Sequence, residues 1–543
     1  MRSRDLTRLA ATTYDVLVIG GGIYGLTIAY EAASRGLRTA LVEARDFGSG
    51  ASFNHQKTVH GGLRSLQSAS LRRARESILE RRAMARIAPW FLRPLPFIVG
   101  TYRSATRGRL AFAAAFRLDR WLGRDRNAGV EPELHLPAAR LISKAATLRL
   151  FPGIKPAKLT GAAQWYDYQM VEADRLTLAF ANAADRFGAD LATYAAAVAP
   201  IRTGDRVSGM TVRDVLTATT ISVNAAIVIN AAGGAAGSIM QSLGVSRRIP
   251  FLRAINLVTS KPASDMALAA PTTSGQMLTL TPWRGRAIVG TGQSKTLVGP
   301  DATAVTGAEV DGFIAAANEA FPALRLTRDD VTLVHHGIVP AVENGGKGEP
   351  GLLSVPAIYD HASEGAAGAI TVVGVKYTTA RRVAQDVVDR VAKRLGKRIR
   401  PSRTATATLP GAGIADHEAL AIETARKCDI ELPLTTIRHL IALYAERAAD
   451  IVRLMHERPD LRAPVTATAT TLGAEIVHVI RHEMAIHLTD IVIRRTGLGS
   501  TGMPEEAALR GCADVAGREL GWDSARTDDE IAAVREFYVI SDA

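Results

Sequence analysis

Apolar residues fall along this chain in short runs that end in glycine, separated by longer stretches with helical spacing. The first run, YDVLVIG at 14–20, is unbroken, as a parallel strand buried on both faces requires. A helical stretch follows from Gly22 to about Arg35, and Thr39–Glu43 closes a second strand, so the chain opens on a βαβ unit. Residues 70–88 predict a helix stopped by Pro89, and residues 100–160 are mixed and basic. Residues 174–187 read as helix, and 190–230 as short strands broken by turns such as Thr203-Gly204-Asp205. Strands return at 251–300 in LRAINLVTS, QMLTLTP and RAIVGTG. AITVVG at 369–374 predicts a strand running into a helix from Thr378 to about Leu395. Beyond the proline-flanked linker RIRPSRTATATLPGAG, residues 415–543 are almost wholly helical in pattern.

These elements predict an α/β fold. A discontinuous Rossmann-type domain spans 12–400, with an inserted, mainly antiparallel sheet domain at about 90–160 and 240–350 that would bind substrate. A C-terminal all-α domain spans 405–543.

The chemistry enters at Gly20-Gly21-Gly22-Ile23-Tyr24-Gly25, which satisfies G-x-G-x-x-G between a strand and a helix. Gly20 permits the tight turn, Gly22 lets the backbone approach a pyrophosphate, and Gly25 lets helix pack on strand. The helix N-terminus offers N–H groups and a positive dipole end to phosphates. Glu43, at the end of the second strand, is placed to accept hydrogen bonds from the ribose hydroxyls of an adenosine. The pattern does not separate FAD from NAD. The loop after it, GSGASFNHQKTVHGGLRSLQ at 48–67, is small and polar enough to wrap a flavin's pyrophosphate and ribityl chain, with Ser52 among its contacts.

Charge and cysteines narrow the setting. Lys plus Arg number 66 against 53 Asp plus Glu, a formal net charge of +13. That excess suits an anionic substrate, an anionic membrane surface or simply an arginine-rich solvated surface, and no zinc finger or nucleic-acid motif accompanies it. Cys428 and Cys512, far from any CxxC spacing, suggest a reducing compartment and neither a metal cluster nor a disulfide scaffold. No apolar run approaches the roughly 20 residues of a membrane span, so a soluble or peripheral protein of the cytoplasm is expected.

His60-Gly61-Gly62-Leu63-Arg64 makes the pattern specific: the segment resembles the signature of the FAD-dependent glycerol-3-phosphate dehydrogenase family. In order along the chain, GAAQWYDYQMVEADRL (161–176), NAAGGAAG (230–237), PWRGRAIVGTG (282–292), GVKYTTAR (374–381) and IRHEMAIHLTDIVIRRTGLG (480–499) are similar to further motifs of that family. The resemblance implies an FAD-dependent dehydrogenase that oxidises a small alcohol or polyol by hydride transfer to flavin N5, with a quinone as electron acceptor. It implies that FAD is held by Gly20, Gly22, Gly25, Glu43, Ser52, His60, Gly61, Gly62, Leu63, Ala232, Gly233, Gly374, Lys376 and Thr378.

Lys376, placed by the resemblance beside flavin and substrate, would act as base or as anion binder, and Arg64 would orient a phosphate or carboxylate. The family's phosphate-binding arginine is replaced by Val339, in His335-His336-Gly337-Ile338-Val339-Pro340, and no arginine stands in GLLSVPAIYD downstream. Asn256 stands where the family has a histidine. His336 and His335 are candidates to take over as base or anion site, and His55 and Asn256 as substrate contacts; no metal ligand set is expected. The departures leave open a non-phosphorylated alcohol or amine as substrate, with oxygen or another acceptor in place of a quinone, or a degenerate flavoprotein with a structural role in a complex. Arginines interleaved with Leu, Phe and Trp at 103–126 would let the chain lie on an anionic membrane, at the inner face of the cytoplasmic membrane, or else form a helix packed on the protein. Oligomeric state is left open.

Overall fold

The computed structural model describes residues 1, 3–63, 70–104, 108–300, 302, 304–344, 349–413, 416–427 and 430–541. Its first sheet is centred on Thr13–Ile19, buried at every position but the first. Thr220–Asn230 and Thr39–Val42 flank that strand in parallel, with Val18 opposite Ile229 on one side and Leu41 on the other. Ala369–Val373 and Asp190–Ala192 extend the parallel array outward, and Ala357–Asp360 adds an antiparallel edge. A parallel array needs helical crossovers. Helices Ile23–Ser34, Ala173–Arg186 and Ala380–Leu395 supply a covering layer, and their Leu26, Leu176 and Val387 share one apolar core with Val16, Val18 and Leu41.

The second sheet runs in the order 351–352, 331–342, 251–259, 286–293, 277–283, 267–271, 92–102, 159–170 and 58–59, with Arg140–Ser143 also on 159–170. It is antiparallel except where Ala267–Pro271 lies parallel to Leu92–Tyr102. Thr58–Val59 comes from the loop after the βαβ unit, so this loop is stitched directly into the second sheet. The mainly antiparallel character expected of the strand-rich stretch at 251–300 is therefore met.

The C-terminal part is helical: His417–Lys427, Leu434–Tyr444, Ala448–Glu457, Gly473–Glu483, Glu506–Leu520 and Ser524–Phe537, with Asp490–Arg495 wound as a π-helix. Its core is not closed on itself. Ile476, Ile491 and Val534 pack in one cluster with Phe53 of the loop and with Val258, Trp283, Ile288 and Leu333 of the second sheet. Cys512 is buried in that cluster, and Cys428 lies outside the described residues. The basic segment 103–126 contributes one helix, Arg109–Leu122. Phe112 and Phe116 pack inward against the second sheet, while Leu110 and Trp121 are left 88% and 61% exposed.

Candidate functional site

The glycine turn lies at the carboxyl end of the central strand, where parallel α/β sheets bind ligands. A Cβ on Gly25 would come 1.8 Å from the Gly20 carbonyl oxygen, so only glycine lets this helix start so close to the strand. Gly20 itself has φ +104° and abuts Ala231, at the end of the neighbouring strand. Gly22 is the N-cap of Ile23–Ser34 and supplies no side chain to cap it. Ser52 answers part of that need, its Oγ accepting the Ile23 N–H at 2.9 Å. Glu43 accepts the Gly21 N–H at 2.5 Å and the Arg45 N–H at 2.9 Å. Burial raises its carboxyl above the usual range despite both hydrogen bonds. Ala232 donates its N–H to Asn230, and Gly233 beside it opens a short turn with φ +57°.

A second group of residues meets at the far end of the helix-starting turn. The Tyr24 hydroxyl donates to the Lys376 carbonyl at 3.1 Å, and a Cβ on Gly374 would lie 2.2 Å from that hydroxyl. Lys376 is the half-buried N-cap of the Tyr377–Thr379 turn that leads into Ala380–Leu395. The helix thus begins two residues after Thr378, the start that the pattern predicts. Thr378 Oγ1 accepts the His60 N–H at 3.1 Å, which joins this turn to the His60-Gly61-Gly62-Leu63 segment. The Tyr377 ring lies 5.2 Å from that of His55, and its hydroxyl is 3.0 Å from Thr177 Oγ1.

Asp167 organises the His-Gly-Gly segment and escaped the sequence reading. Its carboxylate accepts the Gly61 N–H at 2.7 Å, sits 3.1 Å from His60 Nδ1, and is paired with Arg81. Burial would push this carboxyl up, but Arg81, followed by His60, holds it below its ordinary range. Gly61 is required here by Arg81, whose guanidinium would clash with any Cβ. Leu63 packs at the edge of the second sheet's small apolar cluster, and Arg64 lies outside the described residues. No local signal marked Asp167 or Arg81, because 86 residues separate them.

The loop's inner side faces the second sheet. Lys57 is fully buried, donates to the Phe53 carbonyl at 2.5 Å, stands 3.6 Å from Asp174 and lies 4.2 Å over the Phe53 ring. Burial lowers its pKa despite Asp174. His55 Nδ1 accepts the Lys57 N–H at 3.0 Å. Asn256, 2% exposed, accepts from Thr291 Oγ1 at 2.9 Å. Asn256 is directly opposite His335 in register, so both face the loop, and the His335 ring lies 5.1 Å from Phe53. His336 alternates to the other face of the sheet, where Arg253 and Arg45 reinforce the lowering of its pKa by burial. Val339 is buried on its strand opposite Leu252.

Glu43, Gly21, Ser52, Gly374, Lys376, Thr378 and His60 are therefore linked hand to hand along one track, from the end of the first sheet to the edge of the second. Its start is a helix N-terminus without a cap from its own N-cap residue, and its far end holds His55 Nε2, buried with no hydrogen-bond partner among the described residues. A long dinucleotide with a pyrophosphate in its middle fits this arrangement.

Comparison with known proteins agrees with that reading. Residues 15–390 match the family described as FAD dependent oxidoreductase, and residues 402–527 match the C-terminal domain of alpha-glycerophosphate oxidase. A glycerol-3-phosphate dehydrogenase of Synechocystis sp. is 31% identical over 98% of both chains. Glycerol-3-phosphate dehydrogenase 2 of Mycobacterium tuberculosis is 32% identical over 97% of this chain and 88% of its own. Among solved structures, the glycerol-3-phosphate dehydrogenase from Bacillus halodurans complexed with FAD superposes with a TM-score of 0.77 at 22% identity, covering 99% of this chain and 97% of that one.

Proposed function

The chain belongs to the FAD-dependent oxidoreductase family of the glycerol-3-phosphate dehydrogenases, and from that premise we propose that it oxidises the secondary alcohol of glycerol 3-phosphate or a closely related polyol. The observation that carries the reading is the position of Lys376, at the mouth of a turn tied to Tyr24 and, through Thr378, to His60. When bound, FAD supplies the two-electron acceptor; its adenosine end belongs at Glu43 and its pyrophosphate at Gly20–Gly25. With FAD bound to take the hydride, Lys376 Nζ in its uncharged form would accept the substrate's O–H proton and leave a carbonyl. Arg64 steers the substrate's anionic group. His55 and Asn256 are the further substrate contacts in this reading.

We assign the electron acceptor as a quinone, reached at the inner face of the cytoplasmic membrane. Leu110 and Trp121, exposed on a helix that also carries Arg117 and Arg120, support that placement. Among the described residues no helix is long and apolar enough to cross a membrane.

A second reading, a non-phosphorylated alcohol or an amine, draws on Val339. An aliphatic side chain offers a dianion nothing, and a charge-assisted contact is worth about 1.5–3 kcal/mol. Anaerobic mixing of the yellow protein with glycerol 3-phosphate, glycerol, other polyols and amines separates the two. Bleaching of the flavin by micromolar glycerol 3-phosphate is expected. Bleaching by uncharged donors alone would establish the second reading, and none by any donor would end both. Lys376→Met should lower the bleaching rate by about 10²–10⁴-fold with FAD retained.

A further inference from the structure

The helical segment Asp490–Arg495 turns its charges inward. Asp490 is fully buried, Arg494 8% exposed and Arg495 2% exposed. An α-helix sets consecutive side chains about 100° apart, from 3.6 residues per turn. The wider π winding places more residues in each turn and brings neighbours nearer in direction. Here Arg494 and Arg495 converge on one carboxylate. Asp46 accepts from Arg494 Nε at 2.5 Å and from Arg495 at 2.9 and 2.6 Å. The arginines are held in turn: Arg494 donates to Asp490 at 2.8 Å, and Arg495 to the Glu483 carbonyl at 3.1 Å. Asp490 also takes the Tyr194 hydroxyl at 2.7 Å and the N–H groups of Ile486 and His487 at 3.0 Å.

Asp46 belongs to the loop after strand Thr39–Val42 of the first sheet. It lies between Glu43, which grips Gly21, and Gly48, whose N–H donates to the Gly21 carbonyl at 2.9 Å. Two attachments of this short stretch end on the glycine turn, others join Glu43 and Arg45 to residues 192–195, and the carboxylate of Asp46 is fixed from the helical domain. Beside this direct contact lies a small pocket lined by Phe47, Gly48 and Ser52 of the loop, by Asp174 and Thr177, and by Arg494 and Arg495. Stability alone does not explain so many buried charges, since well-packed apolar side chains serve a core as well or better. What ion pairs with two-pronged hydrogen bonding provide is a fixed geometry.

We propose that the helical domain is the latch of the FAD site: Arg494 and Arg495 hold Asp46, and through it hold Glu43 and the glycine turn at the spacing the adenosine and pyrophosphate need. Asp46 is then a positioning residue for the cofactor, acting from behind the loop. The inference rests on the FAD assignment of the preceding section.

The test uses the full chain stripped of flavin and titrated with FAD, followed by flavin fluorescence well below each variant's melting temperature. Asp46→Asn and Arg495→Met should bind FAD at least about tenfold more weakly, and Arg495→Lys should recover part of the loss. In the flavin-free variants the Gly21 and Gly48 amides should exchange hydrogen faster than in wild type. If Asp46→Asn does not fold, Arg494→Gln and Arg495→Lys, each leaving one guanidinium on Asp46, carry the measurement. Variants that melt lower yet bind FAD within about twofold of wild type would reduce the cluster to a structural one and overturn the proposal. A wild-type chain that takes up no FAD would overturn the cofactor assignment as well as the latch.

Discussion

Asp167 shows how much one side chain decides at this site. It is 3% exposed and serves Arg81, His60 and the Gly61 N–H together. Replacing it with Asn leaves the Arg81 guanidinium, itself 4% exposed, without its charge partner. Breaking a buried pair in this way costs about 3–5 kcal/mol. Urea melts at pH 7 should show that loss in Asp167→Asn, with His60 freed from its carboxylate. The pH dependence has a definite sign. The folded carboxyl titrates below its ordinary value, so its contribution is whole above the unfolded pKa of about 3.9 and fades as the folded pKa is passed on acidification. Wild type and variant should therefore converge in stability toward the acid end. Unchanged melting at neutral pH would mean that the pair does not hold this segment. Local spacing exposed the glycine turn and the resemblance of GVKYTTAR to a family motif exposed Lys376, but Asp167, Lys57 and Asp46 became visible only with the fold. Their partners are remote, and nothing beside a buried acid announces which distant arginine will find it.

Among the elements, the last helix depends on a histidine. His487 Nδ1 lies 2.7 Å from Glu530 of Ser524–Phe537, and Glu530 also accepts the Leu488 N–H at 2.8 Å. The hydrogen bond to Glu530 raises the His487 pKa against the effect of burial. A raised folded pKa means that the stabilisation is complete below the unfolded value of about 6.5 and disappears as pH climbs through the folded one. Hydrogen exchange in the last helix should accordingly quicken between mildly acidic and alkaline pH, and His487→Gln should flatten that dependence. Helix Arg109–Leu122 makes a separate prediction. Trp121→Ser with Leu110→Ser should weaken binding to vesicles containing anionic lipid while leaving the melting temperature within a degree or two, since both side chains already face water. Equal sedimentation of variant and wild type with the vesicles would remove this helix as the contact. The elements themselves were largely legible: an unbroken apolar run ending in glycine marked the central parallel strand, and the strand-rich stretch at 251–300 marked the antiparallel sheet. The π winding of Asp490–Arg495 was not, because nothing in the spacing of DIVIRR distinguishes it from an α-helix.

Over the whole molecule, two sheets and a helical domain share side chains instead of meeting at a smooth boundary. Phe53 and Trp283 belong to the same core as Ile476 and Val534, so the chain should unfold in one transition without a separately melting tail. FAD bound at a hundred times its dissociation constant should add about 2.7 kcal/mol to that transition. Calorimetry of the loaded and stripped protein checks both statements, and two resolved peaks would show that the helical part folds by itself. The first sheet's order could not be read from the sequence, since the pairing of Thr13–Ile19 with Thr220–Asn230 spans a large part of the chain.

The Asp46 clamp also fixes a moment in the protein's life. Its two arginines are encoded 448 and 449 residues later, so at about 5–20 residues per second the ribosome needs roughly 20–90 s to deliver them. Until then the newborn glycine loop emerges with its acid facing no partner. Lasting capture of the yellow cofactor therefore waits for these arginines, although the turn that cradles it is made long before them.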